Sequence, residues 1–234
     1  MACWSDGMQP ITGRSAVVTG SSPLAEGIVA GLTELGVGVV SLDCEFTSEA
    51  DVADALTAAE RSLDGIDQIV HTWLAPGLVT AHPFMDLDEA AWVAGCEHSL
   101  EAAWWLARRS ADVLRATSGS LVFVVPTIGM AGAAEFAMLA AVAEGVRVLA
   151  KGCGRQWGVD GVTVNTHAAA PHHWLDADTA DALTRAISLS TPAFGTPGDA
   201  ADDLAPLIAL LDDPDAHFLT ANTLVADGGT WMGL

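Results

Sequence analysis

The 234-residue chain has no tyrosine and a single lysine, Lys151. Nine lysines and arginines stand against thirty aspartates and glutamates, for a net charge of −21. So few basic groups exclude nucleic acid and anionic membrane surfaces as partners, because both bind through a basic face. The four cysteines, Cys3, Cys44, Cys96 and Cys153, form no C-x-x-C pair and no His/Cys cluster at zinc spacing. They read as reduced thiols of a cytoplasmic protein without a metal site. The opening MACWSDGMQP has neither the basic nor the apolar region of a signal peptide. The uncharged stretch Gly119–Ala134 is too short to span a bilayer and is broken by Pro126, Gly129 and Gly132. Charged residues make up only 17% and hydrophobic ones 51%, which excludes wholesale disorder and leaves ample material for a core.

Apolar runs alternate with helical periodicity along the chain. Ser15–Thr19, Gly38–Leu42, Ile66–Thr72, Ser120–Val125, Val162–Asn165 and Thr223–Ala226 read as strands. Leu24–Leu35, Glu49–Leu63, Asp88–Thr117, Glu135–Gly154 and Asp199–Asp212 have helical spacing, with Thr47 or Ser48 capping the second. The long helix over 88–117 is expected to place Trp92, Cys96, Ala103 and Ala107 on one buried stripe. Asp176–Leu189 reads as a short helix over the C-terminal edge of the sheet, where α/β proteins bind ligands. The alternation predicts one α/β domain over residues 1–234, a Rossmann-like doubly wound parallel sheet of about six strands with right-handed crossovers.

The segment VVTGSSPLAEG follows the first strand and opens the first helix, the place of a dinucleotide fingerprint. GIDQIV (Gly65–Val70), RQWGVDGVTVN (Arg155–Asn165), GTPGDAADDL and the terminal LTANTLVADGGTWMG follow it in order. Together these motifs resemble those of the short-chain dehydrogenase/reductase family from about Gly13 to the C-terminus. The resemblance implies a dinucleotide at the C-terminal ends of the strands. It also implies a Tyr–Lys–Ser–Asn tetrad that moves a proton as hydride is transferred. EFTSEADV (Glu45–Val52) resembles a family motif that normally comes after a further strand, so the usual third, edge strand is expected to be missing.

The family's chemical positions hold other residues. Counting from Gln156-Trp157-Gly158 puts Leu139 at the tyrosine position and Ala143 at the lysine position. Pro126 falls at the serine position and Ser99 at the asparagine position. Leucine, alanine and proline cannot transfer a proton. In the fingerprint Gly20 survives, followed by Ser21, but Leu24 and Glu26 replace the second and third glycines. Leu24 is expected to crowd the pyrophosphate and Glu26 to repel it. Asp43, closing the second strand, stands where an acid binds the ribose of NAD. Trp73 and Leu74 stand where small residues usually lie under the cofactor, and would fill that space.

Remaining candidates for chemistry are His167, His172 and His173, with Thr127 beside Pro126, although Thr127 has no evident base. Two readings follow. In the first, the chain is a non-catalytic subunit with no cofactor, or weak NAD at most. It would support an active dehydrogenase/reductase of the same family, or itself, through helices 88–117 and 135–154, whose tryptophans and methionines suit an interface. In the alternative, it is an atypical oxidoreductase or a cofactor-free lyase or isomerase with a histidine-lined pocket.

Overall fold

The computed structural model describes residues 13–187 and 191–232. The N-terminal decapeptide with Cys3 and the end of the helix expected to reach Leu189 lie outside them. Strand β1 (Ser15–Thr19) is buried along its whole length and leads into helix α1 (Pro23–Glu34). The Ser22 hydroxyl caps α1 by accepting the Ala25 N–H, and Pro23 opens the first turn, where its missing N–H has no helical partner to lose. Strand β2 (Gly38–Leu42), helix α2 (Glu49–Leu63) and strand β3 (Gln68–His71) follow. Then come helices α3 (Glu89–Trp92) and α4 (His98–Thr117), strand β4 (Ser120–Pro126) and helices α5 (Ile128–Ala131) and α6 (Ala137–Trp157). The chain closes with strand β5 (Thr163–Ala169), helices α7 (Ala177–Ala186) and α8 (Ala205–Leu210), and strand β6 (Thr223–Ala226).

The six strands form one parallel sheet in the order β2-β1-β3-β4-β5-β6. Among the described residues no strand lies outboard of β2. The order reverses at β1, whose neighbours β2 and β3 lie on opposite sides, and that reversal opens a crevice at the C-terminal strand ends. Alternate strand residues feed two apolar layers. Val17, Ile69, Leu121 and Phe123 pack beneath α2, α4 and α6, while Ala16, Val18, Val70 and Val122 pack beneath α1 and α8. On the second face the fit is close. A Cβ added at Gly27 would sit 2.6 Å from the Ala200 Cβ, and one at Gly31 would sit 2.3 Å from the Ala201 carbonyl oxygen. Gly27 thus provides the tight helix packing one residue later than the fingerprint places it.

Four sequence expectations need correction. The helix expected over 199–212 begins as a π turn at Ala200–Leu204, capped by Asp199, and is α-helical only over Ala205–Leu210. The helix expected over 88–117 is interrupted by a π turn at Val93–Glu97. There the Ser99 hydroxyl donates to the Gly95 carbonyl at 2.7 Å and competes with the helical ladder. One extra residue rotates the preceding turn by about 100°, and Trp92 lies outside the buried stripe, 37% exposed. The helix expected from Glu135 starts at Ala137, because Glu135 adopts a left-handed φ of 66°. Strand β5 runs on to Ala169 rather than stopping at Asn165, since it lies between β4 and β6 and pairs with both.

At the N-terminal edge of the sheet a polar network ties β1, β3, β4 and the end of α8. Arg14 donates from Nε to Asp212 Oδ2 at 2.8 Å, and Ser120 donates to Asp212 Oδ1 at 3.0 Å. Gln68 donates to Ser120 at 3.1 Å and to the Ile208 carbonyl at 2.8 Å. Burial pushes the Asp212 carboxyl upward, against the opposing pull of Arg14 and Ser120.

Candidate functional site

A cleft of about 510 Å³ lies at the switch point. Its walls are the turn after β1 (residues 20–23), the segment after β3 (residues 72–77, with Val79) and the turn after β5 (residues 172–175). The first two walls are locked together. Thr19 Oγ1 bonds His71 Nδ1 at 3.0 Å and accepts the Thr72 N–H at 3.2 Å, and Thr72 Oγ1 donates to the Thr19 carbonyl. Gly20 has φ of 96°, and a Cβ there would meet Thr72 Oγ1 at 3.2 Å, so both conformation and space favour glycine.

The cleft rests on an aromatic cluster. The Trp73 ring lies 5.0 Å from Phe46 and 5.1 Å from His98, whose Nε2 bonds the Phe46 carbonyl at 2.7 Å. His71 packs edge-on between Phe46 and Phe123. Burial pushes His71 down to about 3, so it is a neutral packing group at neutral pH. Trp73 and Leu74 line the cleft without filling it.

Leu24 does not crowd this space. It is 1% exposed, packed in the layer beneath α1, and neither it nor the exposed Glu26 is among the lining residues. The helix geometry explains this, since Leu24 follows Pro23 by a 100° step and faces the sheet. The lining contains no Lys or Arg. Its polar groups are Ser21 and Ser22 at the N-terminus of α1, Thr72, and the ring nitrogens of residues 172–174. His172 Nδ1, His173 Nε2 and Trp174 Nε1 are all shielded from solvent without a hydrogen-bond partner. An unpartnered buried polar atom is costly, and three in succession on one wall suit a polar ligand. Asp43 is exposed just beyond β2, near the rim expected for a ribose.

The four tetrad positions are scaffold. Leu139 and Ala143 lie in the core, Ala143 packed so closely that a Cβ on Gly129 would meet its Cβ at 2.7 Å. Pro126 ends β4, buried. The Ser99 hydroxyl accepts the Ala75 N–H at 3.0 Å, which holds the wall after β3 against α4. Thr127 Oγ1 is buried and unpartnered, but Thr127 does not line the cleft.

The three candidate histidines separate. His167 is fully buried in β5, outside the cleft lining, with both ring nitrogens unpartnered and burial pushing it to about 4. His173 lines the cleft. Burial lowers its pKa, over the opposing effects of the Pro197 backbone, Asp199 and Asp203. His172 also lines it and bonds Asp181 on α7, Nε2 to Oδ1, at 3.0 Å. Sequence spacing did not single out Asp181 or Trp174; the signal was Pro171, which opens a 3-10 turn and folds α7 back over the end of β5. Among the described residues no cluster of three His, Cys, Asp or Glu could hold a metal, and no helix is long and apolar enough to cross a membrane.

Known proteins bear on this site. The sequence profile of the family described as enoyl-(acyl carrier protein) reductase matches residues 12–230. The 3-oxoacyl-(acyl-carrier-protein) reductase FabG of Vibrio cholerae is 26% identical over 223 residues, covering 94% of this chain and 88% of that one. The 3-oxoacyl-(acyl-carrier-protein) reductase MabA of Mycobacterium tuberculosis is 25% identical, covering 96% and 95%. A 3-ketoacyl-(acyl-carrier-protein) reductase from Brucella melitensis, crystallised with NADH, shares the fold with a TM-score of 0.79 at 16% identity, over 94% of this chain and 98% of that one.

These relatives are reductases, and the structural neighbour was solved with NADH. They overturn the expectations of a non-catalytic subunit and of a chain without a cofactor, both of which rested on Leu24, Glu26 and the tetrad positions. The chain belongs to the enoyl-(acyl carrier protein) reductase family of short-chain dehydrogenases/reductases.

Proposed function

We propose that the chain is a nicotinamide-dependent reductase acting on the carbonyl of an oxoacyl thioester, with its dinucleotide in the switch-point cleft. The observation that carries this reading is the cleft itself. Its lining brings together a glycine turn, a helix N-terminus and residues 172–174, whose ring nitrogens His172 Nδ1, His173 Nε2 and Trp174 Nε1 have no protein partner. The named activities of the relatives support the substrate class. Gly20, Ser21 and Ser22 with the N-terminus of α1 would hold the diphosphate. Asp43 would accept the ribose hydroxyls and disfavour a 2′-phosphate, so NADH should bind better than NADPH. Trp174 and His173 would supply neutral donors to the same ligand. Bound in reduced form, the dinucleotide supplies a hydride. With no cation in the lining, binding rests on neutral donors and the helix dipole.

Leu139, Ala143 and Pro126 cannot exchange a proton, and Ser99 is committed to the backbone of Ala75 and Gly95. The family's acid–base chemistry has therefore left its usual positions. We also propose that two copies pair through helices 88–117 and 135–154 in the cytoplasm, supported by the exposed Trp104 and Val148.

The test is a titration with NADH and NADPH followed by assays with acetoacetyl and crotonyl thioesters. Dinucleotide binding with loss of reduced nicotinamide on the acetoacetyl substrate supports the reading. Turnover of the crotonyl substrate alone would move the reaction to the carbon–carbon double bond. No binding at millimolar dinucleotide overturns the reading.

A further inference from the structure

The cleft needs an acid, and the family's tyrosine is absent from the whole chain. Four buried or cleft-side histidines compete for the role. His71 is enclosed by Phe46, Phe123 and Thr19 and is pushed to about 3 by burial. His167 is sealed inside β5 and pushed to about 4. Both stay neutral at neutral pH and neither lines the cleft. His173 lines it but has no carboxylate within hydrogen-bonding distance, and burial disfavours its charged form. His172 differs in kind. Its Nε2 faces Asp181 Oδ1 at 3.0 Å, its Nδ1 has no partner, and it lines the cleft beside Trp174.

That arrangement resolves the tautomer. Asp181 accepts the Nε2 proton, which leaves Nδ1 as the free position of the ring. Asp181 is 58% exposed at its side chain, so the pair touches solvent on one side and the cleft on the other. A carboxylate that orients an imidazole through one nitrogen and leaves the other without a partner is the general arrangement of an acid–base histidine.

We infer that the His172–Asp181 pair, joining the turn after β5 to α7, is the proton donor of this site in place of the missing tyrosine. The inference rests on the reductase reading above. In the reducing direction the Nδ1–H bond of the imidazolium breaks and an O–H bond forms on the reacting carbonyl oxygen. The two electrons arrive with the hydride at the carbonyl carbon. Neutral imidazole remains with its proton on Nε2 toward Asp181, and water entering the cleft after the product leaves returns a proton to Nδ1. In the oxidising direction the same neutral Nδ1 takes the proton from the alcohol. His172 is thus assigned as a catalytic residue and Asp181 as a positioning residue.

The test uses the full chain and the variants His172→Gln, Asp181→Asn and, as the control, His217→Gln. Nitrogen NMR of the histidine rings reads the tautomer without turnover. The wild type should show His172 protonated at Nε2, and Asp181→Asn should lose that preference. NADH binding, followed by fluorescence, should change less than threefold in His172→Gln and Asp181→Asn. Single-turnover reduction of acetoacetyl thioester should fall at least 100-fold in His172→Gln and about tenfold in Asp181→Asn, while His217→Gln, at an exposed ring outside the cleft lining, stays within about threefold. Added imidazole should restore part of the rate in His172→Gln. An unchanged rate in His172→Gln with NADH still bound overturns the inference and leaves the reductase reading standing. Wild-type protein that binds no dinucleotide overturns both.

Discussion

Ser99 and Ala75 are joined by a 3.0 Å hydrogen bond from the Ala75 N–H to the Ser99 hydroxyl, across the gap between the wall after β3 and helix α4. Ser99 also donates to Gly95 within the π turn, so one buried side chain fixes both the turn and the wall. A position that the family resemblance assigns to the proton-moving tetrad serves here as a structural tie. Ser99→Ala should leave the Ala75 N–H without its partner at a cost of about 1–3 kcal/mol. Urea unfolding checks this, and a cost below about 0.5 kcal/mol would show that the wall holds without the tie.

Trp174 should matter for binding more than for stability. Its Nε1 is shielded and has no protein partner, so a ligand acceptor is the group that would satisfy it. Trp174→Phe keeps most of the ring area and removes the donor. The expected loss is about 3–10-fold in NADH affinity, the size of one neutral hydrogen bond of ~0.5–1.5 kcal/mol. The thermal midpoint should hold steady or rise. Calorimetric titration beside a melting scan separates the two effects.

Much of the scaffold could be read from the sequence, because the strands are short apolar runs buried on both faces and their spacing survives any change at the site. Glu49–Leu63 and Thr223–Ala226 fall as expected, since a capping Ser48 and a terminal Asp-Gly-Gly turn mark their edges locally. The π turn at Val93–Glu97 was hidden because it depends on Ser99 bonding back to Gly95, a choice that hydrophobic periodicity does not encode. The site was less legible for the same reason. Leu24 looks obstructive in a motif alignment, and only the direction of its Cα–Cβ bond shows that it enters the core. Asp181 lies nine residues from His172 on a different element, and no spacing rule joins them before the turn at Pro171 is known.

The two sealed histidines make stability depend on pH. His71 and His167 have folded values of about 3 and about 4, below the ordinary value of 6.5, with burial as the main cause. A lowered folded value means that the unfolded chain binds the proton more readily. The stabilising contribution is complete above pH ~6.5 and is lost as pH falls toward the folded values. By pH ~4 each histidine should have withdrawn on the order of 3 kcal/mol. Asp212, raised by burial, acts in the opposite sense at the acidic end. Denaturant unfolding between pH ~7.5 and ~5 should show stability falling with acid, and His167→Leu should shallow that slope by about one proton. A slope unchanged by His167→Leu would mean that water reaches the ring.

The Arg14–Asp212 pair anchors β1 to the end of α8, far from the cleft, and so separates folding from function. Asp212 is nearly enclosed, and its two oxygens are divided between Arg14 and Ser120. Asp212→Ala should cost about 2–3 kcal/mol. That is less than the ~3–5 expected when one partner of a fully buried pair is removed, because the Arg14 guanidinium keeps some contact with water. NADH affinity measured well below the lowered melting temperature should match the wild type. A matched loss of affinity would mean that the β1 turn at Gly20 is positioned from the far end of its strand.

The exposed faces of α4 and α6 lead to a prediction about assembly. Trp104 is 47% exposed with the Arg108 guanidinium 5.9 Å from its ring, and Val148 is 59% exposed on α6. A large apolar side chain in water forgoes burial worth about 25 cal/mol per Å², and a two-fold axis through these helices would bury two copies of each at once. Introducing one charge then places two like charges across the axis. Trp104→Glu should therefore convert a dimer to monomers in sedimentation velocity, while Val159→Glu, at an exposed residue beyond the end of α6, should leave it intact. A wild-type chain that sediments as a monomer would show that the Arg108 contact is cover enough for Trp104.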